Sequence, residues 1–345
     1  MSLNKRVFTG GPAPIEDAFT TKLYTGDGQP NNQVTGFGFA PDLIWLKDRD
    51  TGYPHYLYDT TRGTYKGLRP SETDVQSTNL GVSHFISDGF KLDSNAGANQ
   101  SGSPNIAWAW KCNGGNTSTN TDGNRNSIVQ VNNDTGLSII NYTGANGGIG
   151  TSGTVGHGLT GIPRLIIGKS TNWANNWIVY LHDGTDYYHG YLDGTGALTK
   201  NSSNTQVGTS STLPTNSVIN VSHIGTDNGT YDYMLWCWEP KAGYSSFGSY
   251  TSGASTKITI GFEPEFMIFR YVGGGDWYMQ DLTRWAGATG ANGGKLIKKY
   301  LEANEVDAEK TVSTGGVEVM SDGFYPTNWF DTTNGTVYMA WRNAP

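Results

Sequence analysis

The chain has 345 residues, 48 of them glycine, with 12% aromatic residues, 15% charged residues and a net charge of −7. So few charges beside so many aromatics exclude a solvated disordered chain. The acidic balance argues against nucleic acid or an anionic membrane surface as a partner, because both call for clustered Lys and Arg.

In chain order, Met1 to Ala18 is polar and carries Gly10-Gly11-Pro12-Ala13-Pro14, which reads as an extended arm (residues 1–18) able to dock on a neighbour. The segment 1–20 has no apolar stretch of signal-peptide length, and no apolar run reaches the ~18 residues of a membrane span. Neither that route of export nor membrane insertion is expected.

From there one pattern runs three times. It opens on Tyr24-Thr25-Gly26, Tyr142-Thr143-Gly144 and Tyr250-Thr251-Ser252-Gly253. A Gly-x-(x)-Pro step follows, then an apolar run closed by a basic residue: Leu43-Ile44-Trp45-Leu46-Lys47, Leu165-Ile166-Ile167-Gly168-Lys169 and Phe266-Met267-Ile268-Phe269-Arg270. Each copy ends on an apolar run into tryptophan, at Trp108, Trp236 and Trp341, and aligning these makes Asn343 the counterpart of Trp110 and Trp238. The openings stand a whole domain apart, too far for a solenoid. The expected fold is all-β: three tandem repeated β-sandwich domains, jelly-roll or lectin-like, behind the short arm. The boundaries read as 19–112, a linker over 113–126 in which nothing can be buried, 127–239 and 240–345.

Within the copies, runs such as Asp42 to Lys47 are apolar throughout their middle, as expected of a strand with both faces covered. Ser87-Asp88-Gly89-Phe90 and Ser321-Asp322-Gly323-Phe324 are hairpin signals that the middle copy lacks. Lys295 to Glu305 has helix-forming residues, but it aligns with Tyr65 to Pro70, where Gly67 and Pro70 forbid a helix interior, so a strand or irregular turn is expected. Cys112 and Cys237 form no disulfide framework and read as free, partly buried thiols of a chain assembled in a reducing cytosol.

Aromatics shared by all copies are assigned to the core. Those not shared are the candidate ligand contacts: Trp173, Trp177, Tyr187, Tyr188, Trp285 and Trp329. Flat aromatic faces among Asn, Asp and Thr stack on sugar rings and bond their hydroxyls, and the competing reading of each is a cap on a core or a contact. Catalysis has little support. His182 and His189 with Asp183 and Asp186 lack a metal-ligand pattern, Asp122 to Asn126 lacks the closing Glu of a calcium loop, and Glu263 with Glu265 is a carboxylate pair in one copy alone. No enzyme activity, cofactor or metal is expected.

Tyr24-Thr25-Gly26, the Gly38 to Lys47 run, Ser-Asp-Gly-Phe and Ala107-Trp108-Ala109-Trp110-Lys111 together resemble a domain-of-unknown-function family found in virion proteins of marine tailed phages, cyanophages among them. The resemblance extends from Thr20 over nearly the whole chain and departs in the middle copy. It implies a structural particle protein, assembled in the host cytoplasm and located in the virion. The expectation is a tail-fibre or spike-type appendage contacting a host surface glycan, joined to other virion proteins through its arm and forming a homotrimer. The alternatives are a capsid decoration or other purely structural particle protein, and a glycan depolymerase.

Overall fold

A computed structural model describes residues 18–79, 81–94, 96–145, 152–200, 213–222, 226–251, 256–327 and 335–343. The expected arm, apart from Ala18, and Trp329 lie outside the described residues. The described chain is nearly all β, arranged in six sheets.

One strand order recurs in each third of the chain. In the first third, Phe19–Thr25 pairs with Pro104–Trp110, which pairs with Leu43–Asp48, which pairs with Tyr56–Asp59. The middle third repeats this with Leu137–Thr143, Asp232–Trp238, Leu165–Ser170 and Ile178–His182. The last third repeats it with Ser245–Tyr250, Thr336–Trp341, Phe266–Tyr271 and Trp277–Asp281. All pairings are antiparallel. A smaller sheet accompanies each large one: Asn32–Thr35, Gly89–Leu92 and Val82–Ile86 in the first third, Ser152–Gly156 with Val218–Ser222 in the middle, and four strands from Ile258–Thr259 to Lys295–Ile297 in the last.

The alternation of side chains shows why the central strands are apolar throughout. Ile44 and Leu46 point with Phe90 and Val34 into a core beneath the small sheet, while Leu43 and Trp45 point the other way. Ile166 against Leu165 and Ile167, and Met267 and Phe269 against Phe266 and Ile268, divide in the same manner. The second set of faces, from all three thirds, forms one shared core. A strand covered on both sides has no face for polar residues.

Registers correct one expectation. Leu43, Leu165 and Phe266 pair with Trp110, Trp238 and Trp341. Trp341 therefore corresponds to Trp110 and Trp238, and the counterpart of Trp108 and Trp236 is Met339; Asn343 has no part in this set. The sequence alignment slipped by two residues in the last third, a shift that leaves every side chain on its own face and so is invisible to periodicity. The three corresponding indoles meet edge to face around one axis, with centroids 6.1, 5.7 and 5.5 Å apart and planes at 61°, 67° and 75°. Their N–H groups find no acceptor among the described residues. The void beside them, about 10 Å³, is lined by apolar side chains and these indoles.

Around this axis the thirds close in a ring. Backbone bonds join Asn175 N to Thr73 O and Gln76 N to Thr171 O, Gly275 N to Thr195 O and Leu198 N to Val272 O, and Glu309 N to Arg49 O. Three buried cations stand at one repeated position, Lys47, Lys169 and Arg270; Lys47 bonds Asp48 O and Thr51 O within its own third, and the other two reach across seams. Lys169 Nζ donates to Thr73 O in the first third at 3.0 Å, and Arg270 donates to Gly196 O in the middle third. Burial lowers the pKa of both lysines to about 8 and of Arg270 to about 10. Two seams also carry a clasp of indole, carboxylate and guanidinium. Trp108 Nε1 donates to Asp281 Oδ2 at 3.2 Å, and Arg284 bonds that oxygen at 2.7 Å with its guanidinium 5.7 Å over the Trp108 ring. Trp236, Asp59 and Arg62 repeat it at 3.3, 2.7 and 5.6 Å. In the remaining seam the corresponding residues are Met339, Leu181 and Gly184.

Three further expectations meet their structure here. Lys295 to Glu305 forms two short strands, Lys295–Ile297 and Lys299–Glu302. Both Ser-Asp-Gly-Phe segments turn hairpins, and a Cβ on Gly89 or Gly323 would collide with the carbonyl oxygen of Val34 or Ile258 on the neighbouring strand. The segment 113–126, expected as a linker in which nothing is buried, holds no buried residue and is nonetheless tied to its surroundings. Ser118–Asn120 adds an edge strand, and Gly114 and Gly115 donate their N–H groups to the Asp42 carboxylate.

Candidate functional site

The unshared aromatics do not converge. Trp177 is fully buried and its indole N–H donates to Arg69 O at 2.9 Å and Glu72 O at 3.0 Å across a seam, so it is a contact between thirds and not a ligand face. Its counterpart Trp277 does the same toward Tyr191 O at 2.9 Å. Tyr188 is buried as well, its hydroxyl bonded to Asp183 Oδ2 and to Ser249 Oγ of the last third, both at 3.2 Å. These two candidates lose their accessibility to tertiary packing. Both cysteines are free and buried, more deeply than expected.

Trp173 keeps its accessibility. It lies in the hairpin between Leu165–Ser170 and Ile178–His182, half-buried, and stacks on Tyr231 with ring centroids 5.2 Å apart and planes at 15°. Tyr231 is 36% exposed. The loops that carry the two rings are tied together. Asp232 N donates to Asn172 Oδ1 at 2.9 Å, Asn172 Nδ2 to Asp232 Oδ2 at 3.3 Å, and Thr143 Oγ1 to Asp232 Oδ1 at 2.8 Å. Thr171 N donates to Asp232 O at 2.8 Å, and Trp173 N bonds Ser170 Oγ at 3.1 Å. The result is a braced pair of flat rings beside a carboxylate and an amide. Such a surface offers a sugar a C–H-binding face and, at its edge, acceptors and donors for hydroxyls. Tyr231 was missed at the sequence level; its signal was an aromatic next to an Asp just after the Asn228-Gly229 turn.

Tyr187 is elsewhere. It pairs with His182 at the far end of Ile178–His182 and stacks on Tyr180, centroids 5.9 Å apart. Trp285 is on the last third, 36% exposed, its N–H bonded to Ala288 O at 2.7 Å and Lys295 Nζ 5.8 Å over its ring; Lys295 also pairs with Glu263 at 2.9 Å. Glu265, the other half of the carboxylate pair, is buried and bonded to Thr283, and burial raises its pKa to about 7. The two carboxylates thus occupy different surroundings. Among the described residues no group of His, Cys, Asp and Glu is placed to hold a metal ion.

Fold and site define an all-β protein whose thirds share one core and whose accessible aromatic chemistry sits on loops. The chain belongs to the family described as a domain of unknown function, DUF7483, which it matches over residues 15–345. No curated protein matches it, and no solved structure does.

Proposed function

We propose that this chain is a non-enzymatic structural protein of a tailed-phage particle, an appendage of tail-fibre or spike type that contacts the host surface. In this reading it is three tandem β-sandwich repeats, lectin-like in use, closed into one rigid head, with the segment before Ala18 joining it to other virion proteins. The observation that carries the reading is the braced Trp173–Tyr231 pair: two flat, accessible rings held by their own hydrogen bonds need little ordering when a glycan lands on them. The homotrimer is a separate part of the proposal, since the ring of thirds already achieves three-way closure within one chain.

The test is saturable binding of the purified protein to intact host cells and to extracted surface polysaccharide. Trp173→Ala and Tyr231→Ala, each shown to be folded, are expected to lose that binding at least tenfold. Binding unchanged in both variants removes the platform from the reading, and no binding by the wild type rejects host contact.

A second reading, a capsid decoration or other purely structural particle protein, needs no ligand face, and Trp177 and Tyr188, packed between thirds of the chain, offer none. Location on the capsid by labelled antibody, with no affinity for host cells, would establish it.

A further inference from the structure

One position repeated in the three thirds differs in chemistry. Asp42, Arg164 and Glu265 each donate a backbone N–H to the carbonyl of the axial tryptophan of their own third, Trp110, Trp238 and Trp341, at 2.8 Å in every case. In two thirds the side chain is a carboxylate engaged within the protein: Asp42 accepts from Thr60 Oγ1 and Cys112 N, each at 2.7 Å, and Glu265 accepts from Thr283 Oγ1 at 2.7 Å. In the middle third it is a guanidinium, half-buried, with no side-chain hydrogen bond or ion pair among the described residues.

Arg164 lines a cavity of about 340 Å³ at the joint between the middle and last thirds, within the range of small-ligand sites. The groups beside it are also underused. Tyr180 is 2% exposed and its hydroxyl has no partner among the described residues. His182 accepts from Gly184 N on Nδ1 at 3.1 Å, which makes Nε2 the protonated, donating nitrogen of the neutral ring. Burial and the Arg164 charge lower the His182 pKa, so the ring is neutral at pH 7. Glu239, also in the lining, is paired with Lys241 at 2.9 Å and accepts a hydrogen bond from Gly161 N at 3.0 Å. Ile162 and Leu213, 51% and 44% exposed, form the apolar wall.

We propose that this cavity binds a carboxylate-bearing sugar, a uronic acid unit of an acidic polysaccharide. The Arg164 fork takes the carboxylate in a bidentate pair. Tyr180 and His182 donate to ring or hydroxyl oxygens, Glu239 accepts a hydroxyl, and Ile162 and Leu213 cover the C–H face. A net-negative protein that keeps one unpaired guanidinium in a walled cavity selects an anion over a neutral sugar. The proposal rests on the host-contact reading for the source of the ligand and on Arg164 for its chemistry.

The experiment titrates the full chain by calorimetry and by protein-observed NMR with a uronic acid oligosaccharide, a neutral oligosaccharide of equal length and an acidic peptide. The expected result is uronate binding that weakens at least tenfold in folded Arg164→Ala, recovers in part in Arg164→Lys and persists in Trp173→Ala. Equal affinity for the neutral oligosaccharide, preference for the peptide, or uronate binding indifferent to Arg164 would overturn it. Cell binding without uronate binding sinks this site and leaves host contact standing; uronate binding without cell binding does the reverse.

Discussion

The three seams are built from the same positions yet do not carry the same chemistry. Between the last and first thirds, Trp108, Asp281 and Arg284 form the clasp, and Glu309 adds an ion pair to Arg49 at 2.9 Å with further bridges to Arg284 and Lys299. Between the middle and last thirds the clasp positions are Met339, Leu181 and Gly184. The chain itself explains the contrast. The middle and last thirds are joined directly through Pro240 to Gly243, so their register is set by a short covalent link. The last and first thirds have no such link, the first and middle thirds are joined only by the longer segment 113–126, and in both of those seams buried directional bonds set the angle. A buried charge network costs desolvation, and removing all of it in favour of apolar residues is tolerated far better than removing one member. At the clasp positions the middle–last seam already carries that replacement, while elsewhere it keeps polar bonds such as Ser249 Oγ to Asp183 Oδ2 at 2.6 Å.

The sharpest way to break the comparison is Asp281→Ala. It leaves the Arg284 guanidinium buried with a weakened partner set and the Trp108 N–H unpaired. Urea unfolding should show a loss of about 3–5 kcal/mol; a loss under about 1 kcal/mol would mean the clasp does not hold the seam.

Glu309→Gln should cost less and in a pH-dependent way. Burial alone would raise the Glu309 pKa, but the hydrogen bond from Arg49, the Arg284 charge and Lys299 bring it down to about 2. Its carboxylate is therefore more acidic folded than unfolded. The stabilisation is complete above about pH 4.5, the ordinary glutamate value, and fades as the pH falls toward about 2. It amounts to about 3 kcal/mol. The wild type should lose stability relative to Glu309→Gln across that window in acid titrations of urea midpoints. Parallel curves would refute the assignment.

Converting a clasped seam to the apolar kind sharpens the comparison. Asp59→Leu, Arg62→Gly and Trp236→Met together should cost less than the sum of the three single changes, because no buried charge is left without its partner, while the space vacated by the fully buried Trp236 ring keeps the triple variant below the wild type. Additive losses would show that the clasp positions do not act as a unit.

The smallest stability effect is expected at the surface. Trp173→Ala removes one stacked pair and should cost about 0.5–1.5 kcal/mol with unchanged near-ultraviolet signals from the axial tryptophans. A larger loss would reassign Trp173 from platform to scaffold.

Some of this was legible from the residues. The three openings, the three apolar runs and the paired hairpins follow from strand periodicity and from glycines at collisions only glycine avoids. The clasp has a mark in the sequence that was not read, the Asp-x-Thr-Arg spacing of Asp59-Thr60-Thr61-Arg62 and Asp281-Leu282-Thr283-Arg284, because its indole partners are far away in sequence. Two of the six candidate contacts, Trp177 and Tyr188, are buried between thirds for one reason: a tryptophan or tyrosine in such a polar stretch carries no local mark that a neighbouring third will cover it.

Local pattern determined strand content, the threefold repetition and which side chains share a face, because these depend on spacing along a single segment. The tertiary structure alone decided that the second faces meet on one axis, that Trp341 and not Asn343 completes the tryptophan triangle, and that Arg164 stands unpaired where its counterparts are paired carboxylates. Each of those depends on which segments become neighbours, and a two-residue slip or a covering loop changes the neighbour without changing the pattern.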